Sequence, residues 1–232
     1  MAYINSNDSG VSWTSPKIIH DDGIKAEHGF VSMLPYKDGY FVCWLDGRNT
    51  HAEDVHQGQM TLRAAVLSIS GEKVQEWELD ERVCDCCQTG AAITSNGPVV
   101  VYRNRSEEEI RDIYITRLVD NKWTEPMPVH NDNWEIMGCP VNGPRIASND
   151  DKLAISWYTS SPYSSVNVVY SNDAGATFSD AIRLNENESI GRVDVDWLNE
   201  KSILTTYMEG DTIKGAIVEK GEVIKRQNLI IS

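Results

Sequence analysis

The chain has 232 residues and a formal net charge of −14. That length suits a single all-β domain and buries a sizeable core without help from disulfides. The acidic balance excludes nucleic acid as a partner, because phosphate recognition needs clustered Lys and Arg, and no apolar run approaches the roughly 20 residues of a membrane span.

Taken in order, Met1-Ala2-Tyr3-Ile4 leads straight into an extended segment, with no signal peptide. Two short strands are expected at about 2–6 and 16–19, joined by Ser6-Asn7-Asp8-Ser9-Gly10-Val11-Ser12-Trp13. The same pattern returns as Ser171-Asn172-Asp173-Ala174-Gly175-Ala176-Thr177-Phe178. It reads as a hairpin turn: Asp accepts backbone N–H groups, Gly supplies positive φ and the aromatic packs beneath. Weaker copies are Val119–Pro126 and Ser70–Lys73, the latter followed by Trp77. The aromatics Trp13, Trp77, Trp123 and Phe178 recur roughly every 45–65 residues, a period that fits several short strands per propeller blade.

A second repeat runs in phase with the first. Phe41–Trp44, Val99–Tyr102, Leu153–Trp157 and Ile203–Tyr207 are apolar runs ending in an aromatic, each after a tight turn. Such continuous apolarity suits strands buried on both faces between neighbouring blades. Four-stranded blades are expected over about 30–79, 90–129, 144–184 and 191–230. The expected fold is an all-β propeller of about four and a half blades, a single domain over 1–232, truncated at the N-terminus. An open arc leaves edge strands that a homo-oligomer would cover.

That strand order places the short turns on one face and the long loops on the other. The long loops are residues 20–29, 45–59, 80–90, 103–111, 130–143, 159–165, 185–191 and 208–211. All five histidines (His20, His28, His51, His56, His130) and four of five cysteines (Cys84, Cys86, Cys87, Cys139) fall in them. Cys43 alone lies in a strand, where a free thiol behaves as a small apolar residue. Three readings of the cysteines stay open. They form two disulfides pinning the 80–90 loop to the 130–143 loop, as expected if the native protein is exported to the periplasm or beyond. Alternatively Cys84, Cys86, Cys87 and Cys139, with His28 or other histidines, hold copper or zinc. In the third reading one cysteine reacts, which needs a lowered pKa.

Charged groups gather in the same loops. Asp46-Gly47-Arg48, Arg103-Asn104-Arg105 and Glu109-Ile110-Arg111-Asp112 flank two of them, and Arg192 opens the last blade. Converging guanidinium groups suit recognition of a carboxylate, and paired acids such as Asp46 and Glu109 suit general acid–base work on a glycan. The competing reading is salt bridging between loops. Pro140-Val141-Asn142-Gly143-Pro144 is a rigid turn that aims Cys139 and Asn142, and His20-Asp21-Asp22 with Glu27-His28-Gly29 offers metal ligands or an acid–base pair.

The two Asp-containing turns match the Ser-x-Asp-x-Gly-x-Thr/Ser-Trp/Phe box of sialidases and other bacterial-neuraminidase-repeat propellers. More closely, the chain resembles a group of bacterial sialidase-like proteins with a Cys-Asp-Cys-Cys loop. The matching stretches include Glu27–Phe30, Trp44–Arg48, Cys84–Thr89, Tyr102–Arg105, Glu109–Ile113, Gly138–Pro144 and Gly191–Asp194. The resemblance implies a six-bladed fold and a sialidase-like reaction, with three arginines on the substrate carboxylate, a Tyr nucleophile with a Glu partner, and an Asp acid–base. Tyr207 and Glu209 lie where the nucleophile region is expected. The chain carries no Phe/Tyr-Arg-Ile-Pro motif, and the cysteine loop has no part in that reaction.

The expectation is therefore a protein that binds or hydrolyses acidic carbohydrate on its long-loop face. Asp46, Glu109 and Tyr207 are the catalytic candidates, and Arg48, Arg103, Arg105, Arg111, Asn142 and Arg192 the substrate-binding ones. The alternatives are a non-hydrolytic propeller with a Cys/His copper or zinc site, and a disulfide-pinned interaction scaffold.

Overall fold

The computed structural model describes residues 1–51 and 58–231; His56 lies outside them. Among the described residues there is no α-helix, only one 3-10 turn at Arg48–His51, and no helix is long and apolar enough to cross a membrane. The chain divides into two compact units, Met1–Glu81 and Arg82–Ser232.

In the first unit, β1 (Ala2–Tyr3) pairs with β2 (Lys17–Ile18). A four-stranded antiparallel sheet follows: β3 (His28–Tyr36), β4 (Gly39–Asp46), β5 (Thr61–Ser68) and β6 (Lys73–Asp80), in sequential order. The expected turn Lys37-Asp38-Gly39 joins β3 to β4, with Lys37 at φ 51°. β4 is buried along Phe41–Asp46, and Val42, Trp44, Ala65 and Leu67 pack with Ile19 into one cluster. Cys43 is wholly buried in β4, as the sequence suggested.

The second unit holds three such sheets. The first comprises β7 (Gly90–Ile93), β8 (Pro98–Arg103), β9 (Ile113–Val119) and a fourth strand broken into β10 (Lys122–Trp123) and β11 (Met127–Pro128), both paired to β9. The second is β12 (Arg145–Asn149), β13 (Lys152–Thr159), β14 (Ser165–Ser171) and β15 (Ile182–Arg183). The third is β16 (Ser189–Trp197), β17 (Ser202–Glu209), β18 (Thr212–Glu219) and β19 (Glu222–Ile231). The reason for the continuous apolar runs is visible in β13. Leu153, Ile155 and Trp157 pack against Val99, Val101, Ile113 and Ile115 of the first sheet. Ala154, facing the other way, joins Val193, Val195, Ile203 and Tyr207 of the third. A strand sandwiched on both faces has no solvent side on which to place polar residues. Each fully buried Val, Leu or Ile contributes about 1.5–3 kcal/mol.

The two Asp-containing turns have the same hydrogen bonds. Asp8 accepts the Ser12 N–H at 2.9 Å and the Ser12 hydroxyl at 2.6 Å; Asp173 accepts the Thr177 N–H at 2.9 Å and its hydroxyl at 2.6 Å. Gly10 and Gly175 donate to Ser6 and Ser171 and sit at φ 90° and 84°. The aromatics diverge from expectation. Phe178 packs on the core, whereas Trp13 is 58% exposed.

Candidate functional site

The cysteine loop follows β6 and is drawn onto the second unit by its backbone. Val83 bridges Asn104, and the Cys84 N–H donates to the Arg103 carbonyl at 3.0 Å. Cys86 and Cys139 form a disulfide with Cα atoms 6.2 Å apart, within the usual range. It ties the 80–90 loop to the 130–143 loop with one bridge, where the disulfide reading of the sequence has two. Cys84 and Cys87 remain buried thiols, their sulfurs 3.0 Å apart, and Cys84 Sγ lies 3.9 Å from Cys86 Sγ. Cys87 donates to Cys84, and Arg111 Nη1 approaches Cys84 Sγ at 3.5 Å. These contacts outweigh burial and lower the Cys84 pKa to about 6, while the same coupling and burial push the Cys87 thiol up.

The 130–143 loop is shaped by Asp112, whose carboxylate accepts the N–H groups of Asn133 at 2.9 Å and Trp134 at 3.0 Å. Its far end meets the cysteine loop where Gly143 donates to Gln88 Oε1 at 3.0 Å. A Cβ at Gly143 would lie 1.9 Å from the Gln88 carbonyl oxygen, so only glycine fits. Between these anchors the loop exposes Met137 and Cys139.

Arg105, Glu109 and Arg111 meet beside the disulfide. Glu109, at φ 62°, accepts from Arg105 Nη2 and Arg111 Nη2, each at 2.7 Å. The Arg105 bonds chiefly, with those from Arg111, hold its carboxyl down at about 2. Among the described residues Arg105 Nη1 reaches Asp85 alone, at 3.3 and 3.5 Å. These groups, with Met137 and Cys139, line a cavity of about 270 Å³. Two larger cavities in this unit, of about 390 and about 700 Å³, are lined by neither cysteine nor arginine; chemistry, not size, singles out the smaller one.

The other sequence candidates fall elsewhere. Arg103 is 1% exposed and donates to three backbone carbonyls, those of Asn142, Arg111 and Tyr158, at 2.5–2.8 Å. Its guanidinium also lies 5.0 Å from the centre of the Trp134 ring. Asn142 Oδ1 accepts the Arg192 N–H at 3.0 Å, and Arg192 Nη1 donates to the Val141 carbonyl at 2.7 Å. Arg103, Asn142 and Arg192 thus form a loop-bracing network next to the cysteines. Tyr207 is wholly buried, donates its hydroxyl to the Leu184 carbonyl at 3.0 Å, and is pushed by burial to about 12. Glu209 is held by Lys214 at 2.6 Å and Asn187 at 2.7 Å.

Asp46, Arg48 and His28 belong to the first unit. Asp46 is buried; despite the burial that raises its pKa, bonds from Arg48 (2.8 Å) and Trp44 Nε1 (2.7 Å) hold it at about 2. His28, at the start of β3 rather than in the preceding loop, has Nδ1 on the Ala26 carbonyl and Nε2 on Asp22, both at 2.9 Å. Its ring stacks on His20 at 3.6 Å. His20, Asp22 and His28 bring three ligand atoms within 4.8 Å of one another, as do Cys84, Cys86 and Cys87 in the second unit.

Residues that sequence reasoning passed over include Met137, exposed beside Cys139, and Asp132. Burial raises the pKa of Asp132, which accepts from Trp157 Nε1 at 2.7 Å and pairs with His130 at 2.8 Å. The large apolar side chain next to a loop cysteine was the one available signal.

No protein-family model matches the chain, and no curated protein matches it in sequence. Solved structures do match. A protein of unknown function from Dyadobacter fermentans aligns at TM-score 0.58 and 13% identity, over 85% of this chain and 67% of that one. A Hadza microbial sialidase aligns at TM-score 0.61 and 13% identity, over 99% of this chain. A glycosyl hydrolase from Bacteroides ovatus aligns at TM-score 0.52 and 9% identity, over 88% of this chain and 69% of that one. The fold is that of a sialidase-type β-propeller. Among the described residues the chain supplies four four-stranded blades and a two-stranded half. It spans about half (52%) of the length of the Hadza sialidase.

Proposed function

We propose that the second unit binds the carboxylate of an acidic glycan at Arg105, in the cavity between the 103–112 and 130–143 loops. The observation that carries this reading is the uneven hold on one guanidinium. Glu109 grips Nε and Nη2 at 2.7–3.0 Å, while among the described residues Nη1 has the long contacts to half-exposed Asp85 alone. An incoming carboxylate takes the place of Asp85 and gains a charge-assisted bond in a partly dry site. Met137, 85% exposed, supplies an apolar ledge for a sugar ring. Two neighbours of the same fold are a sialidase and a glycosyl hydrolase, which sets the ligand class to test. Binding is favoured over hydrolysis. Asp46 and Glu109 both sit at about 2 and are ionised at neutral pH, and the Tyr207 hydroxyl is buried on a carbonyl. The test is calorimetric titration of the whole chain with a carboxylate-bearing oligosaccharide. Arg105→Ala is expected to weaken binding at least about tenfold while the chain still unfolds in one cooperative thermal transition; unchanged binding by this variant contradicts the assignment.

A second reading rests on the sulfur cluster. Cys84, Cys86 and Cys87, with Cys139 joined to Cys86, offer soft ligands suited to copper or zinc. With the disulfide closed, two thiols remain, so this reading requires its reduction. Elemental analysis of reduced and oxidised protein tests it: metal held only by the reduced form supports it, and none in either form removes it.

A further inference from the structure

We propose that Cys84 and Cys87 are a buried dithiol that exchanges with the surface disulfide Cys86–Cys139, tying and releasing the 130–143 loop.

The sulfurs form a continuous path from surface to interior. Cys139 is exposed, Cys86 is half-buried, and Cys84 and Cys87 are buried at 0% and 2%. Cys84 Sγ lies between the two possible partners, 3.9 Å from Cys86 Sγ and 3.0 Å from Cys87 Sγ. Arg111 Nη1 at 3.5 Å supplies the positive charge that a thiolate on Cys84 needs. Arg111 is itself fixed by Glu109, which accepts from its Nε and Nη2. The Cys84-Asp85-Cys86-Cys87 order sets Cys84 and Cys87 three residues apart, a spacing that a disulfide closes readily.

The exchange balances internally. Cys84 releases its proton to solvent and its thiolate attacks Cys86 Sγ; the Cys86–Cys139 bond breaks and its electron pair leaves on Cys139, which takes a proton from solvent. Cys87 then loses its proton and attacks Cys84 Sγ; the Cys84–Cys86 bond breaks and the pair leaves on Cys86, which is protonated in turn. One disulfide and two thiols enter, and one disulfide and two thiols leave, so no external oxidant or reductant is consumed. The consequence is mechanical. Asp112 holds the loop at Asn133 and Trp134, and Gln88 holds it at Gly143. Ile136 is also held by the Glu109 carbonyl, and Val141 and Asn142 by Arg192 and Arg103, so exchange frees the short stretch between Ile136 and Val141, which carries Met137 and Cys139 and forms one wall of the cavity.

The test is peptide mapping by mass spectrometry after rapid alkylation of the whole chain, equilibrated across a series of glutathione redox buffers without metal. Two singly bridged species are expected, one linked Cys86–Cys139 and one linked Cys84–Cys87. Cys139→Ser should leave only the second and Cys87→Ser should abolish it. Cys86–Cys139 as the sole linkage at every poise, with Cys84 and Cys87 alkylated only after unfolding, would overturn the proposal. So would protection of all four sulfurs by tightly bound zinc or copper carried through purification. The wild-type maps decide the matter even if a variant folds poorly, and neither result bears on glycan binding by Arg105.

Discussion

Asp85 holds Arg105 Nη1 at 3.3 Å, while Glu109 holds the opposite edge of the same guanidinium at 2.7 Å. The first contact is half-exposed and the second is not, so the two partners of one arginine differ in how readily they yield. Replacing the weak partner should therefore help a ligand. Asp85→Asn is expected to tighten binding of a carboxylate-bearing glycan by about twofold to fivefold, the scale of a solvent-screened ion pair. Calorimetry on the variant checks this, and weaker binding would mean that Asp85 contacts the ligand rather than competing with it.

Arg103 is a brace. Its three carbonyl partners come from three separate segments, at Arg111, Asn142 and Tyr158, all within the second unit. Arg103→Ala strands those carbonyls in a dry interior and should destabilise the unit by about 3 kcal/mol or more. Arg103→Lys recovers little, because one ammonium cannot reach three directions in a plane. Denaturant unfolding of the two variants beside Arg105→Ala is the check, with Arg105→Ala expected to lose less than Arg103→Ala because Arg111 still pairs with Glu109.

Gly191 packs against Asn142 so closely that a Cβ would fall 2.4 Å from its Oδ1, at φ +79°. Gly210, at φ +59°, has open space around its Cβ position. Gly210→Ala should cost about 1 kcal/mol of backbone strain. Gly191→Ala adds a steric clash and should cost about 2–4 kcal/mol. Equal losses would show that the approach to Asn142 is not rigid.

Acid should loosen both units through their buried carboxylates. Asp46 falls from an ordinary 3.8, and Glu109 from 4.5, to about 2 in the folded chain. Each group binds fewer protons folded than unfolded, so its contribution is complete above about pH 4.5 and is lost as pH drops toward 2. Urea midpoints measured from pH 6 down to pH 2.5 should decline through that window. Asp46→Asn should flatten the part that belongs to the first unit, and an undiminished slope would assign it to other groups.

The blades were legible because their cause is local or periodic. β13 is apolar throughout since both faces are covered, and the Ser-x-Asp-x-Gly turns carry their own hydrogen bonds within a few residues. The cysteine pairing was not legible: two disulfides, a metal site and a reactive thiol share one sequence, and only position shows Cys86 joined to Cys139 while Cys84 faces Cys87. The arginines read as a converging set, yet each has partners already. Arg48 lies on Asp46, Arg103 on carbonyls, Arg111 on Glu109 and Arg192 on Val141. Which arginine keeps a loosely held donor depends on where loops meet, and sequence does not encode that in any short pattern. Asp132 was missed for the same reason, since Trp157 reaches it from a distant strand and only the His130 contact is local.

The most direct measurement is titration of the wild-type chain with two oligosaccharides that share a core and differ only in one carboxylated terminal sugar. Saturable binding of the acidic form, at least about tenfold tighter than the neutral one, is the predicted result. Equal affinity for the two, or no binding of either, would contradict the assignment of Arg105 as a carboxylate site.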